Sequence, residues 1–259
     1  MVFWFSGTGN TESVALRLAG MTKENAVSIP EAVKNGQYHY SLTRGERVGI
    51  VVPVYYWGIP KMVDDFLSKL TFTNSDHHYT YAVTVCGGSS CNAVSQIQKH
   101  IQVDYWSELL MPDNCIILME LKHRDEIKSC LFAAESALGK IYNKISSRTV
   151  EKISRGLLSE YLTKRGAKKY DKARHTDNFY ATDACIGCGQ CEGFCPDGII
   201  KPKDGRPTWN SAQCDLCLSC VHRCPRAAIQ YGKVTVGRTR YLHPGAAKAV
   251  SEPDNVKFF

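Results

Sequence analysis

Over residues 1 to 148, apolar positions come in short β-branched or aromatic runs, separated by longer stretches with helical spacing. A βαβ domain around a buried parallel sheet requires this pattern. The runs predict strands at Val2 to Phe5, Ala26 to Ile29, Val48 to Val52, Tyr79 to Val85 and Cys115 to Met119. Helices are expected between them at Thr11 to Met21, Pro60 to Leu70, Asn92 to Ile101 and Asp125 to Ser146. The expected fold is α/β, a doubly wound five-stranded parallel sheet. Such sheets bind ligands beyond the carboxyl ends of their strands, near the point where strand order reverses. The loops after the first, third and fourth strands are therefore the places to look for function.

Beyond this region the pattern changes. Residues 152 to 174 carry eight Lys or Arg against Glu160 and Asp171, and read as a short helix with a basic linker. Residues 183 to 232 are rich in Cys, Gly and Pro with only short apolar runs, which marks a small α+β module held by metal rather than by a large core. The expected organisation is a nucleotide-type α/β domain over 1–149, a helical and basic linker over 150–180, a metal module over 181–232 and an extended tail over 233–259. A chain of 259 residues accommodates one medium and one small domain.

Charge is uneven along the chain. Residues 1 to 150 carry 14 Lys and Arg against 14 Asp and Glu, and residues 151 to 259 carry 18 against 11, so the net +7 lies entirely in the second part. Bound anionic groups totalling about −6 would bring the chain to about +1, which makes the basicity poor grounds for nucleic-acid binding. No apolar run approaches the length of a membrane span, so no membrane insertion is expected. The N-terminus has no basic start and runs straight into a glycine loop, which reads as the first strand of a cytoplasmic protein.

Eight of the 12 cysteines fall in two identical runs, Cys185-x2-Cys188-x2-Cys191-x3-Cys195-Pro196 and Cys214-x2-Cys217-x2-Cys220-x3-Cys224-Pro225. Two-residue gaps let three thiolates converge on one cubane, and the Cys-Pro step turns the fourth elsewhere. Paired C-x2-C spacings also serve zinc. A repeated four-cysteine run with both prolines favours 4Fe-4S clusters, and Gly187, Gly189 and Gly193 suit backbone wrapped closely around them. The segment resembles a bacterial-type two-cluster ferredoxin. In that pattern the fourth cysteine of each run ligates the other cluster. The resemblance therefore implies Cys185, Cys188, Cys191 and Cys224 on one cluster, with Cys214, Cys217, Cys220 and Cys195 on the second.

The first strand leads into Ser6-Gly7-Thr8-Gly9-Asn10-Thr11, where hydroxyls, glycines and successive backbone N–H groups at a helix start make a phosphate cradle. The loop has no Lys or Arg, and neither a P-loop nor a G-x-G-x-x-G dinucleotide loop is present. It resembles the phosphate loop of flavodoxins, which implies FMN. After the third strand, Pro53-Val54-Tyr55-Tyr56-Trp57-Gly58 offers aromatic surface for a flavin ring, with Trp57 first and Tyr56 second as contacts. After the fourth, Cys86-Gly87-Gly88-Ser89 occupies the second flavin loop of flavodoxins, whose backbone can bond the ring edge. Cys86 and Cys91 are a possible redox pair or small packing residues, and Cys115 and Cys130 read as buried and inert.

Taken together the chain resembles the flavodoxin-ferredoxin fusion proteins of anaerobic bacteria and archaea over nearly its full length. The resemblance implies FMN, two 4Fe-4S clusters and electron transfer with a redox protein partner such as a ferredoxin, a flavodoxin or an oxidoreductase. A glycine is expected where Cys91 stands. Three functions are compatible with the residues. One is conversion between one- and two-electron steps. The second is reduction of a small organic acceptor, with Tyr55, Tyr56, His77, His78 or His123 as proton donor. The third is redox sensing through the basic segment.

Overall fold

The computed structural model describes residues 1–74, 78–154 and 156–246. Strand β1 (Val2–Trp4) is followed by helix α1 (Asn10–Thr22), β2 (Ala26–Ser28) and α2 (Ile29–Lys34). Then come β3 (His39–Ser41), β4 (Arg47–Pro53), α3 (Lys61–Lys69), β5 (Thr71–Thr73), β6 (Tyr79–Cys86), α4 (Val94–Ile97), β7 (Tyr105–Leu110) and α5 (Arg124–Ser146). The remainder holds α6 (Leu157–Ala173), β8 (Phe179–Ala181), α7 (Gln190–Phe194), β9 (Ile200–Lys203), β10 (Arg206–Trp209), α8 (Ser219–His222) and β11 (Ile229–Tyr231).

Five strands form one parallel sheet in the order β2-β1-β4-β6-β7. Counted among themselves these strands run 2-1-3-4-5, the flavodoxin-like order, whose switch point lies between β1 and β4. Because successive side chains of a strand face opposite sides, Val48, Ile50 and Val52 of β4 enter one core with Phe3, Phe5 and Phe66. Val51 enters the other core with Val2, Tyr81 and Val83, beneath α1 and α5. Among the described residues no helix is long and apolar enough to cross a membrane.

Three expectations change. The fifth strand is Tyr105–Leu110, not Cys115 to Met119, which forms a loop instead. An edge strand has one sheet neighbour and is only half covered, so its alternation is weak; β7 shows this mixed burial. The expected helix Asn92 to Ile101 shrinks to Val94–Ile97 with turns on either side. Ile29 opens α2 rather than closing β2, because the Ser28 hydroxyl accepts from the Glu31 N–H and Pro30 sits in the first turn.

In the second part, β8 pairs with β11 and β9 with β10, both antiparallel. A third core joins the two parts. It holds Phe179, Ile200, Leu216, Leu218, Val221 and Ile229 together with Ile116 from the loop after β7 and Tyr170 from α6, and Tyr55 and Tyr56 pack against it.

Candidate functional site

The carboxyl ends of β1, β4 and β6 open on a cavity of about 300 Å³, at the lower end of the range for small-molecule sites. All three predicted loops reach it: Ser6, Gly7, Thr8, Asn10 and Thr11; Pro53 to Trp57; and Cys86 to Ser89. Gly9 and Gly58 are not among its lining residues. Gly9 turns the phosphate loop at φ +96° and its N–H donates to the Ser6 hydroxyl at 3.0 Å. Tyr56 and Trp57 are also left-handed, at φ +50° and +64°. Such backbone costs about 1–2 kcal/mol per residue without glycine and persists only where surroundings enforce it.

The surroundings here are α6. A methyl group at Gly166 would overlap the Tyr56 carbonyl, so only glycine lets the helix lie this close. Three residues earlier on the same face, the Thr163 hydroxyl donates to the Trp57 carbonyl at 2.9 Å and accepts from the Asn92 N–H at 2.9 Å. Four residues later, the Tyr170 ring stacks on Tyr56 with centroids 5.9 Å apart. The Tyr170 hydroxyl donates to the Asp215 carbonyl at 2.7 Å. Spacing of three and four places all three residues on one helix face. In the sequence this segment stands out by its charge; the signal that marks its role is Thr163, Gly166 and Tyr170 in register.

Two further cavities are lined by cysteines. One has Cys185, Cys188, Cys191 and Cys224 in its wall, and the other Cys195, Cys214, Cys217 and Cys220. Each of these two cavities therefore carries four thiols in its wall. Among the described residues no three His, Cys, Asp or Glu side chains gather as they would around a single metal ion. The donor set, four cysteines on each of two cavities, fits a cluster better than one ion. Burial, reinforced by neighbouring thiols, pushes Cys191 up to about 11; burial and the Asp197 carboxylate push Cys214 up to about 12. Metal ligation would have to take those protons.

The two rings differ in setting. Cys188 is exposed and Ile186 beside it is 63% exposed, so the first ring reaches the surface. Cys214 and Cys220 of the second are buried. Its backbone repeats the left-handed turns of Gly187 (φ +67°) and Gly189 (φ +72°), but with Leu216 (φ +51°) and Leu218 (φ +57°). These leucines, with Cys217 between them, line the cavity at the carboxyl ends of β1, β4 and β6. Cys217 and Leu218 also line the cavity of the second ring, so a single wall separates the two spaces. A methyl group on Gly7 would overlap the Cys217 carbonyl, and the Arg223 Nε donates to the Gly7 carbonyl at 3.3 Å. The phosphate loop and the second ring are therefore pressed backbone to backbone.

The tail fixes the other side of the phosphate loop. The His243 N–H donates to the Thr8 carbonyl at 2.9 Å, and the Tyr241 hydroxyl donates to Asn10 Oδ1 at 2.6 Å. His222, fully buried, donates from Nε2 to the Asn114 carbonyl at 2.9 Å and accepts the Tyr241 N–H at Nδ1 at 3.0 Å. That pairing needs a neutral ring, and burial lowers its pKa to about 3. Asn114 in turn donates from Nδ2 to the Thr8 hydroxyl at 2.9 Å. Tyr241→Phe leaves Asn10 Oδ1 without its donor. Its expected cost is about 1–3 kcal/mol of stability, checked by urea unfolding of the native chain and the variant.

The loop 111 to 119 supplies the remaining wall through Met111 to Cys115, Leu118 and Met119. Cys115, expected to be inert packing, faces the cavity, although burial holds its thiol above the ordinary range. Cys130 is half-buried on α5. Cys86 and Cys91 are both buried, and burial pushes the Cys86 thiol up to about 12. Cys91, where the resemblance leads to a glycine, sits at φ +46°, in the left-handed region that glycine favours. Of the candidate proton donors, Tyr55 and Tyr56 line the cavity, His78 and His123 do not, and His77 lies outside the described residues.

The chain is similar to known proteins over parts of its length. Over 49 residues, 18% of this chain, it is 41% identical to a ferredoxin of Thermococcus litoralis, 83% of which is covered. Over 57 residues, 20% of this chain, it is 39% identical to polyferredoxin protein MvhB of Methanothermus fervidus, of which it spans only 12%. The crystal structure of an azoreductase from Bacillus anthracis aligns over 56% of this chain and 100% of that one, at 10% identity and a TM-score of 0.34. The flavodoxin domain family matches residues 1–109 and the 4Fe-4S dicluster domain family residues 184–229. The chain thus combines a flavin-type α/β domain with an iron-sulfur domain of the electron-carrier class. The chain carries a flavodoxin domain at its N-terminal side and a 4Fe-4S dicluster ferredoxin domain towards its C-terminal side.

Proposed function

We propose that this chain passes electrons between two 4Fe-4S clusters and FMN, converting between one- and two-electron steps. Cys185, Cys188, Cys191 and Cys224 would hold an outer cluster, and Cys195, Cys214, Cys217 and Cys220 an inner one. Ser6 to Thr11 would hold the flavin phosphate with backbone N–H groups and hydroxyls, Pro53 to Gly58 its ring, and Cys86 to Ser89 its polar edge. When bound, the clusters supply single electrons and the flavin accepts or releases one or two. The single observation behind this reading is that Cys217 lines both the second cysteine cavity and the cavity at the carboxyl ends of β1, β4 and β6.

The chain's own residues do positional work. Leu216 and Leu218 flank Cys217 and give the cavity wall there an apolar lining. Thr163, Gly166 and Tyr170 hold Tyr56 and Trp57 in left-handed backbone at the cavity edge. Asp215 accepts from the Met62 N–H at 3.1 and 3.2 Å, which ties the inner ring to the start of α3. Domain bounds near 149, 180 and 232 follow from the same reading, with α6 serving as a brace between the domains. Thiolate-held clusters suit the reducing cytoplasm, and a protein redox partner completes the circuit. Anaerobic reconstitution is expected to give about eight irons and one FMN per chain. Zinc in place of iron, or a chain that takes up no flavin, would refute the proposal.

A further inference from the structure

The face of α6 opposite Thr163, Gly166 and Tyr170 is open to solvent. At its start Leu157, Leu158 and Tyr161 are 85%, 71% and 56% exposed. One to three turns on come Lys164, Arg165, Lys168, Lys169 and Lys172, all exposed. Over α6 the balance is five cations against Glu160 and Asp171. Those acids are already engaged with Lys164 and Arg174. Among the described residues Lys168, Lys169 and Lys172 have no ion-pair partner. An apolar centre beside a row of uncompensated cations has the make-up of a protein-docking patch, with anchors at one end and steering charge along the other.

We propose that this outer face of α6 is the docking site for a small acidic electron-carrier protein. The inference rests on the electron-transfer reading above and adds where the partner sits. Charge complementarity selects an acidic occupant, since an equally basic surface would be repelled. Placement selects a redox protein, because the inner face of the same helix carries the flavin loop. A carrier seated on α6 is separated from Tyr56 and Trp57 by one helix, about 10–12 Å across. The patch is distinct from the surface around Cys188 and Ile186, where the outer cysteine ring reaches solvent.

The test is calorimetric titration of the cofactor-loaded chain with a purified acidic two-cluster ferredoxin, at low and at high ionic strength. Binding is expected to weaken with salt, and Lys168→Glu/Lys169→Glu/Lys172→Glu is expected to weaken it about tenfold or more and to flatten the salt dependence. Lys201→Glu/Lys203→Glu, on the hairpin beside the outer ring, is expected to bind like the native chain. Circular dichroism and the iron and flavin contents of both variants serve as the check on folding. No binding by the native chain, native-like binding by the α6 variant, or loss of binding in the hairpin variant overturns the proposal. So does α6-dependent sedimentation with phosphatidylserine vesicles, or α6-dependent self-association, in place of ferredoxin binding. A chain lacking iron or flavin instead defeats the electron-transfer reading, so the two failures are told apart.

Discussion

Cys217→Ala is expected to lower the iron of the reconstituted chain from about eight atoms to about four, because one cubane loses a ligand while the other keeps all of its own. Cys188→Ala is expected to give the same iron count by emptying the outer ring. The two variants separate in what the flavin experiences. Cys217 stands in the wall of the proposed flavin cavity and Cys188 stands at the surface. Loss of the inner cluster therefore removes the neighbour of the flavin, and loss of the outer one leaves it. The optical spectrum of bound flavin is expected to shift in the Cys217 variant and to stay native-like in the Cys188 variant. Iron analysis and flavin spectra of the two proteins check this. Equal flavin spectra in both would place the inner ring away from the cavity.

Gly166→Ala is expected to destabilise the chain by about 1–3 kcal/mol through overpacking, and to loosen flavin binding as Tyr56 and Trp57 move. In an ordinary helix interior this substitution stabilises by about 1 kcal/mol, since alanine is the better helix former. The sign reverses here because the added methyl group meets backbone, the Tyr56 carbonyl, which cannot rotate away. Gly139→Ala supplies the contrast within the same protein. It lies inside α5, where an added methyl group has open space, and it is expected to follow the ordinary rule. Thermal or urea unfolding of the two variants, with flavin affinity measured alongside, reads both signs.

What the sequence revealed and what it hid have a common physical basis. The glycine-hydroxyl loop and the cysteine runs are local: the groups proposed to hold phosphate and clusters lie within a few residues of one another, so spacing alone points to that chemistry. Four of the five sheet strands were legible as apolar β-branched or aromatic runs, as in β6, all eight residues of which are buried. Periodicity failed where apolar residues serve something other than the sheet. Cys115 to Met119 is apolar because Ile116 fills the third core and Cys115, Leu118 and Met119 wall the cavity. The true edge strand, Tyr105–Leu110, has a weaker pattern because only part of it is covered. The brace formed by α6 was hidden behind its own charge, since its lysines dominate composition while Gly166 acts by being small and Thr163 through a single hydroxyl. The leucines at 216 and 218 look like ordinary core residues. Only their left-handed backbone, matching Gly187 and Gly189 in the other run, sets them apart.

The most direct measurement is a stoichiometric anaerobic reduction of the cofactor-loaded chain, followed at once by flavin absorbance, cluster absorbance and EPR. If both cysteine rings hold cubanes beside one flavin, the chain takes up about four electrons, one for each cluster and two for FMN. The cluster signals and the flavin band then reach equilibrium together within a single molecule. Uptake of about two electrons with no cluster signal, or a flavin that titrates on chains carrying no iron while other chains hold the clusters, would contradict it.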